Sequence, residues 1–432
     1  MEVKPGFKQT DVGVIPEDWI TATLESAVGS GGLVRGPFGG ALKKDIFVDR
    51  GYKVYEQRNA IYESVEKGDY FIDSTKFREL ERFRVKPGDF IVSCSGTIGC
   101  IYQIPSSAPE GVINQALLKI SLNQEKVSGR FFLAIFRSAS FQERIKENSH
   151  GGAMQNLVGM QVFRRTQFQL PPTRSEQEAI AEALSDADTL IESVEQLLAK
   201  KRHLRRGAMQ NLLTGKKRLP GFSGEWEVKP LGNLFNFSGG FSASRDQLSS
   251  DGHCYLHYGD IHTSTKFFVD VRSEYQDIPK LNIPLNKVSS ASLLDDGDVV
   301  FVDASEDDEG TSKHVVIINP DRIPFISGLH TIVAKSKTNA LEHQYRRYCF
   351  QTTAVKAQFR FFAVGTKVSG ISKTNIVKIT LPVPSVPEQT AIAAILSDMD
   401  AEIAALEEKL AKGRQIKKGM MQELLTGRIR LT

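Results

Sequence analysis

A chain of 432 residues with 41% hydrophobic and 25% charged content is ordinary globular material, long enough for about two to four domains. Lys and Arg number 55 against 51 Asp and Glu, a net +4, so total charge does not announce nucleic acid and only its distribution can. Four cysteines without paired C-x-x-C spacing argue against a disulfide framework or a zinc site. The polar start lacks a signal-peptide core and no apolar run reaches a membrane span, so a cytoplasmic location without membrane contact is expected.

Residues 1–18 read as a polar lead-in. Trp19 with Leu24 recurs as Trp226 with Leu231, and each tryptophan is expected to anchor the first element of a globular block. Gly36, Pro37, Gly39 and Gly40 around Arg35 and Phe38 make a tight turn followed by Lys43 and Lys44. Such a turn is either a strand connection or a place where backbone amides and lysines approach phosphate. It is not a nucleotide P-loop. The second block answers with Gly239, Gly240, Ser242, Ser244 and Arg245.

A short strand then leads into Glu56, Gln57, Arg58 and Asn59, and in the second block into His257, Tyr258, Gly259, Asp260 and His262. Gln, Arg and Asn pair bidentately with purine edges in the major groove. Both clusters are therefore candidate base readers, although polar loops diverge freely between repeats. Lys86-Pro87-Gly88-Asp89 and Asp296-Gly297-Asp298 are turns entering strands. The loops after those strands differ, Ser93–Gly99 against Asp303–Lys313. The acidic run Asp303, Glu306, Asp307, Asp308 and Glu309 lacks EF-hand spacing and reads as a solvated loop, with Lys313 at its end as a contact candidate.

Each block continues with a strand (112–120; 329–334) and an amphipathic helix (130–147; 343–362). Polar loops come next, with Gln155 and Asn156 in the first and Lys367 and Ser369 in the second as further candidates. Leu170-Pro171-Pro172 and Leu381-Pro382-Val383-Pro384 close the blocks. Each block is thus α+β.

Both blocks are succeeded by copies of one segment. Residues 173–219 and 385–431 superpose without a gap at a displacement of 212, with about half the positions identical. Thr173 with Glu176 and Ser385 with Glu388 have capping-box spacing, Pro387 suits a first turn, and Gly215 and Gly427 supply left-handed stops. Ile180, Leu184, Ala187, Ile191, Val194 and Leu198 step by four and three, as do Ile392, Leu396, Met399, Ile403, Leu406 and Leu410. That period is a coiled-coil seam. Each helix is expected to run about 40 residues, or about 60 Å, with a local bend allowed at Gly413. Each seam needs a partner, and the other copy serves if the helices run antiparallel, since one compact block links the end of the first to the start of the second. The expected architecture is then two unlike blocks at opposite ends of a pseudo-two-fold rod. The cations near the helix ends (among them Lys201, Arg202, Arg205, Arg218, Arg414, Lys417 and Arg430) are either a solvated face or contacts to phosphate or an acidic partner.

Over essentially its whole length the chain resembles the specificity subunits of type I restriction-modification systems. The resemblance rests on the tandem arrangement and the E-Q-x-A-I-A-x-x-L-S-D-x-D helix starts at Glu176–Asp188 and Glu388–Asp400. It rests also on the M-Q-x-L-L-T-G-[KR] helix ends, the R-G-P-F-G-G-A-L-K-K stretch and the proline entries. It implies two target-recognition domains, 1–172 and 220–384, each reading one half of a split, asymmetric double-stranded DNA site about one helical turn apart. Spacer helices at 173–219 and 385–432 would dock two methyltransferase subunits that methylate adenine, with a separate restriction and translocase subunit joining. S-adenosylmethionine and ATP would belong to those partners, leaving this chain without cofactor or metal. No methyltransferase N/D-P-P-[FYW] tetrapeptide, Walker A motif or catalytic constellation is found, so a non-catalytic subunit is expected. The competing readings are a coiled-coil scaffold with protein-binding ends and an enzyme using a metal at Asp307 and Asp308.

Overall fold

A computed structural model describes residues 4–146, 159–264, 266–305, 312–365 and 369–431. The chain forms two compact units, one of residues 1–195 with 409–432, the other of 196–408. Each holds one lobe and a half of both long helices.

In the first unit, strands Val28–Arg35, Leu117–Leu122, Phe90–Ser93 and Ile101–Gln103 make an antiparallel sheet in that order. Phe90–Ser93 is apolar almost throughout and buried along its length, as a central strand covered on both faces should be. A second sheet orders Phe71–Ile72, Tyr52–Tyr55, Gly111–Ile113 and Arg84–Val85, with the middle pair parallel. The second unit repeats the plan. Its larger sheet orders Phe235–Gly239, Thr331–Ser336, Val299–Val302, His314–Ile318 and Phe268–Asp270, the last a fifth, parallel edge strand. Its smaller sheet pairs His253–Leu256 in parallel with Phe325–Ser327.

Two sequence expectations change here. The strand expected at 112–120 is two strands in different sheets, separated by a turn at Asn114. The helices expected at 130–147 and 343–362 are each broken. Gly129–Arg137 stops before Ser138 and Ala139–Lys146 comes after it, while Thr352 caps a fresh helix at Thr353–Phe362 by accepting from the Val355 amide. A hydroxyl that satisfies orphan amides starts a new helix even where the apolar period continues.

The long helices are Arg174–Leu212 and Val386–Leu424, each 39 residues. The second runs unbroken through Gly413. Both end where expected, at left-handed glycines, Gly215 with φ +69° and Gly427 with φ +70°. The first turns of each belong to the core of the lobe before them: Ile180 and Leu184 in the first unit, Ile392 and Leu396 in the second. The last turn of each completes the core of the unit it ends in, with Leu424 and Leu425 in the first and Leu212 and Leu213 in the second. Val194, Leu198 and Leu410 are buried along the seam, whereas Ile191 and Ile403 are only half-buried.

Within each unit the helix halves run antiparallel. In the second, Arg202 meets Glu407 at 2.6 Å, Arg205 meets Asp400, and Arg218 meets Glu388. In the first, Arg414 meets Glu195 at 2.6 Å, Lys417 meets Asp188, and Arg430 meets Glu176. These are the same three pairs displaced by 212 residues. Lys201 adds a pair to Glu402 at 2.5 Å. These seven cations are therefore neither free nor held for phosphate; they pair across the seam. The exposed pairs among them contribute little individually, about 0–1 kcal/mol, unlike the two with buried glutamates, Glu388 and Glu176, and opposite charges placed in register favour one alignment of the helices.

In both capping boxes the glutamate is drawn away from the helix start, and the first box is half formed. Thr173 Oγ1 accepts from the Glu176 amide at 3.2 Å, but the Glu176 carboxylate is 3% exposed and turned to Arg430. Glu388 likewise turns to Arg218 and accepts from Trp226 Nε1 at 3.1 Å. The adjacent glutamines clip helix to lobe. Gln177 accepts from the Ser128 amide at 2.8 Å and donates to the carbonyls of Lys126 and Pro171. Gln389 accepts from the Glu342 amide at 2.8 Å and donates to the carbonyls of Ala340 and Pro384. Trp19 and Trp226 anchor the same junction, each against the left-handed glycine of a helix end and beneath the guanidinium of Arg430 or Arg218. The motif shared by the two copies is thus a joint between lobe and helix pair.

Candidate nucleic-acid interface

In the first lobe one short segment gathers three loops. The Asn114 amide donates to Tyr55 O at 2.9 Å, the Leu117 carbonyl accepts from Gly36, and the Ala116 carbonyl accepts from Cys94. This brings the Arg35–Lys44 turn, the helix start at Glu56–Asn59 and the loop after Ser93 to one corner. The second lobe builds the same corner. Gly328 N donates to Leu256 O at 2.9 Å, the Thr331 carbonyl accepts from Gly240, and the His330 carbonyl accepts from Asp303. Gly36 and Gly240 occupy matching places for a steric reason: a Cβ on either would stand 1.8 Å from a backbone oxygen, that of Asn114 or of Gly328.

The frame is shared and the side chains are not. Glu56 in the first lobe corresponds to His257 in the second, Gln57 to Tyr258, Cys94 to Asp303, Ala116 to His330, and Arg35 to Gly239.

Around the first corner Lys43 and Lys44 are exposed on single 3-10 turns, and Phe38 projects with 78% of its surface exposed. Arg35 ends its strand half-buried beside the Cys94 thiol, which burial pushes up to about 12; Arg35 Nε is buried without a hydrogen-bond partner. Arg58 is exposed and 3.2 Å from Glu56. Gln57 presents a buried, unpartnered Oε1. Asn59 does not face outward and is corrected. It is 0% exposed; its oxygen accepts from the Glu56 amide, and its Nδ2 donates to the carbonyls of Ser64 and Lys67. Its amide is wholly spent on holding the helix start.

In the second lobe the structure gathers six of the candidates. Tyr258 packs against His257, His262 and His330, with ring centroids 4.5, 6.1 and 5.4 Å away. Arg245 lies over the start of the same helix, where a Cβ on Gly259 would come within 2.5 Å of its Nη2. His257 is the second correction. At 6% exposure its Nδ1 caps the helix by accepting from the Gly259 amide at 3.0 Å. Burial, with Arg245 nearby, holds its pKa below the usual imidazole value. Lys313 is turned inward as well, donating to the His262 carbonyl at 2.6 Å. His262 Nε2 is 3.3 Å from Ala304 O, and Ala304–Ser305 pairs with Ser369–Gly370, which draws Ser369 to this corner.

His330, in a left-handed turn with φ +58°, escaped the sequence, and Asp303, read there only as part of the acidic run, joins it with its carboxylate 3.3 Å from the His330 ring. Aligning the two turns, Asn114–Leu117 with Gly328–Thr331, is the signal that would have found them. Gln155, Asn156 and Lys367 lie outside the described residues, as do Asp307 and Asp308. Among the described residues no cluster of His, Cys, Asp and Glu could hold a metal ion, and no helix is long and apolar enough to cross a membrane.

The family model described as the type I restriction modification DNA specificity domain matches this chain twice, over residues 39–200 and 223–413. The MjaX specificity subunit of a type I restriction enzyme from Methanocaldococcus jannaschii is 24% identical over 98% of this chain and 97% of its own. The MjaVIII specificity subunit from the same organism is 23% identical over 74% of this chain and 75% of its own. The fold is similar to that of the S subunit of the type I system of M. genitalium, with a TM-score of 0.56 at 15% identity and 98% of both chains covered. A chain from a structure of the assembling type I system gives 0.53, again at 15% identity, over 96% of this chain and 99% of that one. A domain model matched twice, with relatives spanning both copies, places the chain in the type I restriction-modification DNA specificity family, as its recognition component and not as a catalyst.

Proposed function

We propose that each corner grips one half of a bipartite, asymmetric DNA site. Arg35, Lys43, Lys44, Gln57 and Arg58 serve one half; Arg245, Tyr258, His262, Asp303 and His330 serve the other. The observation that carries this is the matched backbone frame with mismatched side chains. Two copies of a reader aimed at the same sequence would keep their contacts, whereas the positions of Gln57 and Ala116 in one lobe carry Tyr258 and His330 in the other, which present different groups to base edges. Lysines and arginines flanking each set suit phosphate contacts, which position without specifying.

The chain then directs two adenine methyltransferase subunits, and restriction subunits with them, to the site it has chosen. S-adenosylmethionine and ATP are used by those partners, in the cytoplasm where the DNA is. Exchanging residues 220–384 for the corresponding block of a relative, in the complex with its methyltransferase, tests this. The methylated motif should change in one half and keep the other; a motif changed in both halves would overturn it.

A further inference from the structure

The second unit contains a cleft of about 670 Å³ away from the recognition corner. Its walls are the two long helices, the edge strand at Phe268, and the turn carrying Arg347 and Tyr348. The volume is that of a small-molecule site, typically about 300–1,000 Å³.

Its charges do not cancel. Asp400 is taken up on both oxygens, by Arg205 and by the Tyr348 hydroxyl at 2.9 Å, and Glu407 is taken up by Arg202. Lys266 pairs with Glu274 at 3.2 Å, which leaves Arg206 and Arg347, neither with an ion pair among the described residues. The Arg347 guanidinium lies over the Phe268 ring, 4.3 Å from its centroid, and its Nε is buried without an acceptor. A guanidinium fixed on an aromatic face presents its remaining donors as a fork, the geometry that matches phosphate or carboxylate. The other surface of the cleft, Phe267, Ala401, Ile403 and Ala404, is apolar and accepts a flat ring.

From this we infer that the cleft binds a nucleotide, its phosphate on Arg206 and Arg347 and its base against the apolar wall of Phe267 and Ile403. The strand that supplies Phe268 is the fifth of its sheet, and the first lobe's corresponding sheet has four among the described residues. The site is therefore a feature of one half of the molecule, and its lining shares no residue with the repeated recognition corners. The base and phosphate could come from a free nucleotide or from a single strand.

The test is calorimetric titration of the full chain with adenosine monophosphate and guanosine monophosphate. One saturable site is expected, with adenosine and inorganic phosphate each binding at least about tenfold more weakly. Arg206→Glu, on an exposed helix position, and Arg347→Glu should each weaken binding about tenfold or more, and Phe268→Ala should weaken it too. Competition by a twelve-nucleotide single strand at lower concentration than the mononucleotide assigns the source to a strand; lack of it assigns a free nucleotide. Absence of saturable mononucleotide binding, binding unchanged in Arg206→Glu, or inorganic phosphate binding as tightly as the mononucleotide would overturn the inference.

Discussion

Arg218 holds Glu388 by two parallel hydrogen bonds, Nε to Oε1 at 2.6 Å and Nη2 to Oε2 at 2.7 Å, and the Glu388 side chain is 1% exposed. Truncating the arginine strands a carboxylate that water cannot reach. Arg218→Ala is therefore expected to lower unfolding stability by about 3–5 kcal/mol. Arg428→Ala, whose partner Glu423 is exposed, should cost no more than about 1 kcal/mol. Urea denaturation of both variants checks this, and equal losses would show that the buried joint has no special weight.

The glutamine clips make a second pair of comparable sites. Gln389→Ala leaves the Glu342 amide and the Ala340 and Pro384 carbonyls without partners, and Gln177→Ala does the same to Ser128, Lys126 and Pro171. Each unpaired buried group costs about 1–3 kcal/mol, so both variants should lose at least about 2 kcal/mol, and by similar amounts. A large loss in one and none in the other would mean that the joint is not equivalent in the two units.

Stability should also depend on pH through His314. Its ring is buried among Phe267, Phe301 and Phe350, and burial pushes its pKa from 6.5 to about 4. The unfolded chain binds the proton first as pH falls, so this contribution is complete above 6.5 and is lost as pH falls through about 4. Thermal melting temperatures should fall over that interval, and His314→Phe should flatten the fall. An unchanged slope in the variant would assign the acid sensitivity to other groups.

Gly36→Ala is expected to damage recognition and stability together. Its Cβ would strike the Asn114 carbonyl at 1.8 Å, forcing the Arg35–Lys44 turn off the segment that aligns it with Gln57 and Arg58. Binding to a duplex carrying the target should weaken about tenfold or more, as loss of a well-placed bidentate contact would cause. Gly36 and Pro37 are buried, so the melting temperature should fall as well, whereas the exposed Lys43→Ala and Lys44→Ala should weaken binding without that fall. Undiminished binding would remove this turn from the interface.

How much of the molecule was legible in its sequence depended on the physical signal. The long helices, their glycine stops and the tryptophan anchors were readable because period, φ > 0 and a bulky apolar residue each leave a local mark. The helix breaks at Ser138 and Thr352 were hidden by an apolar period that continues across the cap. The turn at Asn114 was hidden in a run of strand-forming residues. Glu176 and Glu388 have capping spacing, yet a guanidinium from the other helix outcompetes a backbone amide, and nothing local reports that. At the corner, Gln57 and Asn59 look alike as polar loop residues, but the Gln57 amide oxygen is left without a partner and Asn59 is a buried cap. His330 and Asp303 come together only through the tertiary turn.

The most direct measurement is a map of methylated adenines in a host carrying this chain with its methyltransferase, compared with the Arg245→Ala, His330→Ala double variant. A motif of two unlike halves around a fixed gap is expected, with the variant relaxing or losing discrimination in one half while the other stays intact. A continuous motif, or equal change in both halves, would contradict the claim that two matched corners read two different sequences.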